Sequence, residues 1–179
     1  NLNNLAGAKW ICQHLGVDEA AFYEAIGSFK GASKRLEKIS ETSDFVCYKD
    51  FAHSPSKVQA TTQAVREQYP GRRLIACLEL HTYSSLTPEF LKEYRGALDA
   101  ADTAVVFYSP HAVEIKKLLP ITHNQISEAF QRNDLIIFTD SKGFKDYLFS
   151  QDFDNCVLLL MSSGNYGGLD WEEVKNLHK

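Results

Sequence analysis

The segment "RLIACLEL" (residues 73–80) is an almost unbroken apolar run with the length of one β-strand. Further runs of this kind are "DFVCYK" (44–49), "TAVVFYS" (103–109), "DLIIFT" (134–139) and "CVLLLMS" (156–162). Strands that are covered on both faces are near-continuously apolar, and such strands occur in parallel sheets. Together with a shorter segment at Leu36–Ile39, the runs predict a doubly wound α/β domain with a mostly parallel sheet of about six strands.

Helical patterns lie between these runs. "SPSKVQATTQAVREQY" (54–69) places Val58, Thr62, Val65 and Tyr69 on one face. "TPEFLKEYRGALDAA" (87–101) starts with Thr87 as N-cap and Pro88 in the first helical turn. Three further segments are predicted as helices: "SPHAVEIKKLL" (109–119), "SKGFKDYLFSQ" (141–151) and "DWEEVKNLHK" (170–179). The alternation of strand and helix supports the α/β assignment.

The first third of the chain differs from this pattern. "NLNNLAGAKWICQHLG" (1–16) predicts a helix that ends at Gly16. "VDEAAFYEAIGSF" (17–29) predicts a second helix, with Asp18 as N-cap. Two helices before a complete α/β domain indicate the end of a preceding domain, with the boundary near Gly31–Lys34. We therefore divide the chain into residues 1–33 and 34–179, and expect the native protein to extend upstream of Asn1.

Composition narrows the functional classes. The 179 residues carry a net charge of −4, so no basic field favours nucleic acid as a partner. No apolar run approaches the roughly 18 residues of a membrane span. The four cysteines are far apart and show no metal-ligand spacing, which favours buried thiols and predicts no metal site. We expect a cytoplasmic globular protein.

Polar residues follow the predicted strands, where open α/β sheets bind their ligands. These strand-end residues are Asp50/His53, Glu79/His81, Ser109/His111, Asp140/Ser141 and the segment "SSGNYGG" (162–168). Three of the strand ends carry a histidine, although the chain has only six. This clustering favours a ligand site at that edge of the sheet.

The stretch "DFAHSP" (50–55) has two readings. Pro55 suits the first turn of a helix and Ser54 suits the N-cap, so Asp50 and Ser54 together fit a purely structural strand-to-helix turn. The spacing alone favours this reading. In the second reading, Asp50 accepts hydrogen bonds from the hydroxyls of a ribose, beside a helix N-terminus suited to phosphate.

Two other segments also leave alternatives open. "SSGNYGG" forms either an anion-binding nest or a tight turn before the last helix. Arg35 in "KRLEKI" (34–39) either pairs with Glu37 on the surface or reaches a phosphate. The chain contains no GxxxxGK[ST] segment, so it has no recognisable triphosphate cradle of its own.

Three segments in order resemble the Mur ligase family of ATP-dependent amide-bond ligases. "NLNNLAGA" (1–8) is similar to the family's His-Asn-x-x-Asn helix, with the His expected just upstream of Asn1. "FKGASKRLE" (29–37) resembles the pattern Phe-x-Gly-x-x-x-Arg-x-Glu, and "DFAHSP" resembles Asp-Tyr-Ala-His-x-Pro. The resemblance implies that residues 34–179 form the Rossmann-like C-terminal domain of such a ligase, after the last two helices of the central ATPase domain.

The resemblance also implies a branch of the family. "MSSGNYGG" (161–168) and "ELHTYSS" (79–85) look most like the branch that joins UDP-N-acetylmuramate to the murein tripeptide L-Ala-γ-D-Glu-meso-diaminopimelate. In the alanine-adding branch the second segment resembles Gln-Pro-His-Arg-Tyr-Thr-Arg. Here Thr82 and Ser85 stand where those arginines would be, so bidentate recognition of a carboxylate is lost.

The resemblance implies a reaction and a set of contacts. ATP, with Mg²⁺, phosphorylates a substrate carboxylate, and the incoming amine attacks the acyl phosphate. The implied nucleotide contacts are Asn1, Asn4, Arg35, Asp50 and His53. The implied substrate contacts are His81, Thr82, Tyr83, Ser84, Ser85, Ser109, His111 and Asn165. Metal ligands are expected in the central domain, against which this domain would pack, and we assign no catalytic residue here.

Two alternatives to this function stay open on the sequence. The chain could be a stand-alone nucleotide- or peptide-binding α/β module. It could also belong to a folate-polyglutamate ligase of the same superfamily, which would change the substrate but not the enzyme class.

Overall fold

The chain forms two compact units, Asn1–Ala32 and Ser33–Lys179. The computed structural model describes residues 2–29 and 35–177. The predicted boundary, Gly31–Lys34, lies outside the described residues. The first unit contains helices α1 (Leu2–His14) and α2 (Glu19–Gly27). Asp18 caps α2 by accepting a hydrogen bond from the Ala21 amide at 2.9 Å, as its sequence position predicts.

The second unit is built on a six-stranded sheet with the order β1-β2-β6-β3-β4-β5. The strands are β1 (Glu37–Glu41), β2 (Phe45–Asp50), β3 (Arg73–Glu79), β4 (Thr103–Phe107), β5 (Ile136–Phe138) and β6 (Cys156–Met161). β1 pairs antiparallel with β2, and all the other pairs are parallel. The mostly parallel sheet predicted from the apolar runs is confirmed.

Helices cover both faces of this sheet. They are α3 (Pro55–Gln68), α4 (Pro88–Leu91), α5 (Pro110–Ile115), α6 (His123–Phe130), α7 (Ser141–Phe149) and α8 (Trp171–Val174). Alternate residues of each strand enter two separate cores: Val46 packs in the core beside α3, and Cys47 packs in the core beside α7. No helix within the described ranges is long and apolar enough to cross a membrane.

One helical prediction was wrong, and one helix was missed. The helix predicted over residues 87–101 ends at Leu91 and continues only as a 3-10 turn and a left-handed Gly96 (φ +72°). The helical backbone is left at Arg95 (ψ 122°) and Gly96, just after the buried Tyr94, which stacks on Phe130 with ring centroids 5.2 Å apart. Helix α6 was not predicted, although Thr122 and Gln125 form a complete capping box at its start.

Candidate functional site

The carboxyl ends of five strands meet at one edge of the sheet. Asp50 and Leu78 both pair with Met161, and Glu79 pairs with Phe107 on the next strand. The amide of Ser162 donates to the Asp50 carbonyl at 3.0 Å, which holds the start of the glycine-rich loop beside the end of β2. The predicted strand-end residues of the second unit therefore emerge from the same edge.

Asp50 connects three segments through its carboxylate. Oδ1 accepts from the amide of Ala52 at 2.6 Å, and Oδ2 accepts from the amide of Leu36 at 2.5 Å. The second bond fixes Arg35, the exposed residue before Leu36, next to the end of β2. Asp50 itself stays half-buried, and each oxygen keeps lone pairs for a further donor.

The capping alternative for this turn is supported only in part. Pro55 occupies the first turn of α3, and Ser54 has the backbone conformation of an N-cap. The Ser54 side chain makes no capping hydrogen bond, however. Asp50 therefore has a structural role in the turn that Ser54 does not share, and this role leaves its outward lone pairs available.

His53 lies at the same strand end and is half-buried. Its Nδ1 is 2.8 Å from the carbonyl of Phe51, and its ring lies edge-on to the Phe51 ring. A carbonyl can only accept, so Nδ1 carries the proton and Nε2 is left as an acceptor in the neutral ring. The hydroxyl of Tyr94 donates to the His53 carbonyl and fixes the backbone.

The other two predicted nucleotide contacts belong to the first unit. Asn4 is an exposed residue of α1. Asn1 lies outside the described residues. The role of both in nucleotide binding stays a prediction.

Glu79 ends strand β3 and is only 4% exposed. Its Oε2 accepts from the hydroxyl of Ser162 and from the amide of Tyr166, the latter at 2.9 Å. Ser162 Oγ in turn accepts from the amide of Gly164 at 2.6 Å. These partners satisfy the buried carboxylate, as burial of a charged group requires.

The glycine-rich loop closes over this carboxylate. A Cβ at Gly164 would lie 2.7 Å from Glu79 Oε2, so only glycine fits the approach. Tyr166, Gly167 and Gly168 follow with positive φ (+53°, +70° and +107°). Of the two readings of "SSGNYGG", the loop is thus a tight turn that binds an anion, and the anion is the protein's own Glu79 carboxylate.

Tyr166 anchors the loop from below. It is fully buried, and its hydroxyl lies 2.8 Å from the carbonyl oxygens of both Cys77 and Met161. Its ring stacks on Phe144 at 4.8 Å. Burial holds the pKa of the Tyr166 hydroxyl well above its usual range, so the group acts as a hydrogen-bond donor.

The loop after β3 contains five of the predicted substrate contacts. His81 is exposed, with Nδ1 3.6 Å from Glu79 Oε1, and Tyr83 is 61% exposed. Thr82 and Ser85 bond to each other: the Thr82 hydroxyl accepts from the Ser85 amide and the Thr82 carbonyl accepts from the Ser85 hydroxyl. Ser85 is buried in this turn, and Ser84 lies exposed beside Thr82. The arrangement presents His81 and Tyr83 outward, whereas Ser85 has a local structural role.

The remaining predicted substrate contacts have local partners. Ser109 caps α5 by accepting from the amide of Ala112 at 3.3 Å. His111 is exposed, with Nδ1 3.8 Å from a carboxylate oxygen of Glu114. Asn165 is exposed and accepts from the amide of Gly168. These bonds do not test a substrate role, which stays a prediction.

Two further kinds of reactive group are metal-binding clusters and cysteine thiols. Within residues 2–29 and 35–177, no three His, Cys, Asp or Glu side chains are grouped so that they could hold a metal ion. Burial raises the pKa of the Cys47 and Cys77 thiols, which therefore stay protonated and unreactive at neutral pH.

Sequence reasoning placed Glu79 at the strand edge but did not select it as a site residue. The signal was present, because Glu79 is the one charged residue inside the apolar run of residues 74–80. A charge in such a run must find partners when it is buried. Those partners come from a loop more than eighty residues later, which no local pattern reveals.

Comparison with known proteins agrees with this architecture. Residues 34–164 match the family described as "Mur ligase, glutamate ligase domain". The UDP-N-acetylmuramate–L-alanine ligase of Porphyromonas gingivalis is 28% identical over 89% of this chain and 34% of its own length. That of Lactococcus lactis subsp. lactis is 29% identical over 92% of this chain and 36% of its own length. The chain thus spans about a third of these relatives.

Solved structures share the fold. A murein peptide ligase from Psychrobacter arcticus superposes with a TM-score of 0.70 at 18% identity, over 98% of this chain and 36% of that one. A domain assigned to a Haemophilus ducreyi UDP-N-acetylmuramate:L-alanyl-γ-D-glutamyl-diaminopimelate ligase superposes with a TM-score of 0.53 at 24% identity, over 80% of this chain and all of that one. With its family match covering the sheet from β1 to β6, the chain belongs to the Mur ligase, glutamate ligase domain family.

Proposed function

We propose that this chain is the amine-delivering domain of an ATP-dependent ligase that forms amide bonds on peptidoglycan precursors in the cytoplasm. The observation that carries the proposal is the family match over residues 34–164, which includes the strand end with Asp50 and His53 and the Leu36 amide bonded to Asp50. In the proposed reaction ATP phosphorylates the carboxylate of UDP-N-acetylmuramate. The incoming amine displaces phosphate from the acyl phosphate, and an amide bond forms.

The end of β2 forms the nucleotide side in this proposal. Asp50 is suited to the ribose hydroxyls, because its carboxylate is held by two backbone amides and keeps outward lone pairs. Arg35, adjacent to Leu36, is suited to a phosphate. When bound, Mg²⁺ would offset the charge of the phosphates. By the family resemblance, we propose that its ligands belong to a central domain against which residues 34–179 would pack.

For the acceptor, we propose a murein tripeptide rather than a single amino acid. The support lies in the loop after β3, where Thr82 and Ser85 supply no positive charge and bond to each other. A short amino acid needs its carboxylate gripped at this edge, whereas a longer peptide has contacts elsewhere. L-Alanine is the second candidate, because the curated relatives described above are named as L-alanine ligases.

Phosphate release by the full-length gene product tests the function and the acceptor together. The enzyme is supplied with ATP and UDP-N-acetylmuramate and titrated separately with tripeptide, L-alanine and glutamate. We expect the highest kcat/KM with tripeptide. A preference for L-alanine would overturn the acceptor proposal and keep the ligase. A parallel assay replaces UDP-N-acetylmuramate with a folate, and addition of glutamate to that folate would place the protein with the folate-polyglutamate ligases.

A separate measurement tests the stand-alone alternative. Calorimetric titration of these 179 residues with ATP should give little or no binding heat, because the chain carries no P-loop. Micromolar ATP binding by the isolated chain would favour a stand-alone nucleotide-binding module.

A further inference from the structure

We propose that Glu79 is a positioning residue that joins the glycine-rich loop after β6 to the His81 loop after β3. Its two carboxylate oxygens face different partners. Oε2 accepts from the Ser162 hydroxyl and the Tyr166 amide, and Oε1 lies 3.6 Å from His81 Nδ1. One buried side chain thus contacts both loops that border this part of the strand edge.

The contacts to the glycine-rich loop form a continuous hydrogen-bonded chain. The Gly164 amide donates to Ser162 Oγ, and the Ser162 hydroxyl donates onward to Glu79. A carboxylate accepts such bonds more strongly than a neutral oxygen does. Since Glu79 is 4% exposed, water does not compete for these donors. The loop conformation therefore depends on the Glu79 side chain.

The contact to His81 is of a different kind. At 3.6 Å it is longer than a hydrogen bond, and it places His81 Nδ1 beside the Oε1 atom of the carboxylate. The His81 side chain is about half exposed, so its other nitrogen, Nε2, can accept a hydrogen bond from the incoming amine. Glu79 would thereby fix how the imidazole meets the incoming substrate, an effect that rests on the function proposed above.

Hydrogen exchange tests whether Glu79 holds the glycine-rich loop (residues 162–168) in place, a role that we call the clamp. The test makes no assumption about function. In this chain, Glu79→Ala should speed exchange of the Tyr166 and Gly164 amides at least tenfold. The Cys156 amide, which bonds to Asp44 at the other end of β6, should exchange at the unchanged rate and serves as control. Glu79→Gln keeps one acceptor oxygen and should leave the Tyr166 amide within threefold of wild type.

Ser162→Ala provides a test if Glu79→Ala does not fold. This variant removes the acceptor of the Gly164 amide but leaves Glu79 to hold the Tyr166 amide. Exchange should accelerate at Gly164 and stay unchanged at Tyr166. Unchanged exchange of the Tyr166 amide in folded Glu79→Ala would overturn the proposal. If that variant does not fold, unchanged exchange of the Gly164 amide in Ser162→Ala would overturn it.

Kinetics of the full-length ligase test the effect on His81. Glu79→Gln should raise the KM for the acceptor amine at least fivefold, with the KM for ATP unchanged, because only the contact to His81 is lost. An equal change in both KM values, or a fall in kcat alone, would overturn the positioning role. If wild-type enzyme ligates no amine at all, the proposed function fails, and the exchange rates still decide whether Glu79 clamps the loop.

Discussion

Asp50 and Glu79 end neighbouring parts of the same sheet edge, separated only by β6, yet their carboxylates are used differently. Asp50 is half-buried and binds two backbone amides near its own strand. Glu79 is almost fully buried and binds a loop that follows a different strand. The β2 end of this edge thus keeps a partly exposed carboxylate, whereas the carboxylate at the β3 end is covered by the protein's own loop.

The largest expected effect on stability lies at the β3 end, where the glycine-rich loop packs on Glu79. Gly164→Ala places a Cβ 2.7 Å from Glu79 Oε2, and the hydrogen-bonded carboxylate cannot move aside. We expect a loss of about 1–3 kcal/mol in the free energy of unfolding, measured by urea titration. Gly71→Ala is the matched control, since a Cβ there meets nothing within 4 Å, and it should change stability by less than about 0.5 kcal/mol. Equal stabilities of the two variants would contradict the close packing of the loop.

Tyr166→Phe removes one hydroxyl beneath the same glycine-rich loop. The ring contact with Phe144 is kept, but the carbonyls of Cys77 and Met161 lose a donor. The expected loss in unfolding free energy is about 1–2 kcal/mol. Tyr83→Phe removes the hydroxyl of an exposed tyrosine and should be neutral. A neutral Tyr166→Phe would show that the loop does not depend on this anchor.

A smaller effect is expected at the opposite edge, beside the start of β3, where no ligand is proposed. Burial pushes the pKa of Asp102 upward, but the Leu74 amide and the Arg66 guanidinium outweigh it and hold the pKa below its usual range. A lowered folded-state pKa stabilises the protein at neutral pH, and this contribution is lost as pH falls below about 4. Because the side chain is half exposed, Asp102→Asn should cost no more than about 1 kcal/mol at pH 7 and less at pH 3. A cost that grows at pH 3 would contradict the sign of the pKa shift.

The sequence predicted the sheet well because each buried strand is a continuous apolar run, a signal that depends on local composition alone. It missed α6, because the segment "THNQ" reads as a turn although it forms a capping box. It also extended the helix after Pro88 too far, because the backbone leaves the helical conformation at Arg95 and Gly96. The candidate site could be proposed where one short segment carries its residues, as in residues 50–53, and its role stays a prediction. The contact between Glu79 and Tyr166 was missed because the two residues meet only in the folded chain.

The most direct test of the proposed nucleotide contact at the end of β2 is Asp50→Ala in the full-length protein. The KM for ATP and the free energy of unfolding are measured side by side. The account predicts that the KM for ATP rises about tenfold, as expected for the loss of charge-assisted hydrogen bonds to the ribose. The substitution removes the acceptor of the Leu36 and Ala52 amides, which are part-buried. The free energy of unfolding should therefore fall by no more than about 1 kcal/mol. An unchanged KM for ATP together with a marked loss of stability would contradict the account, because Asp50 would then serve only the turn.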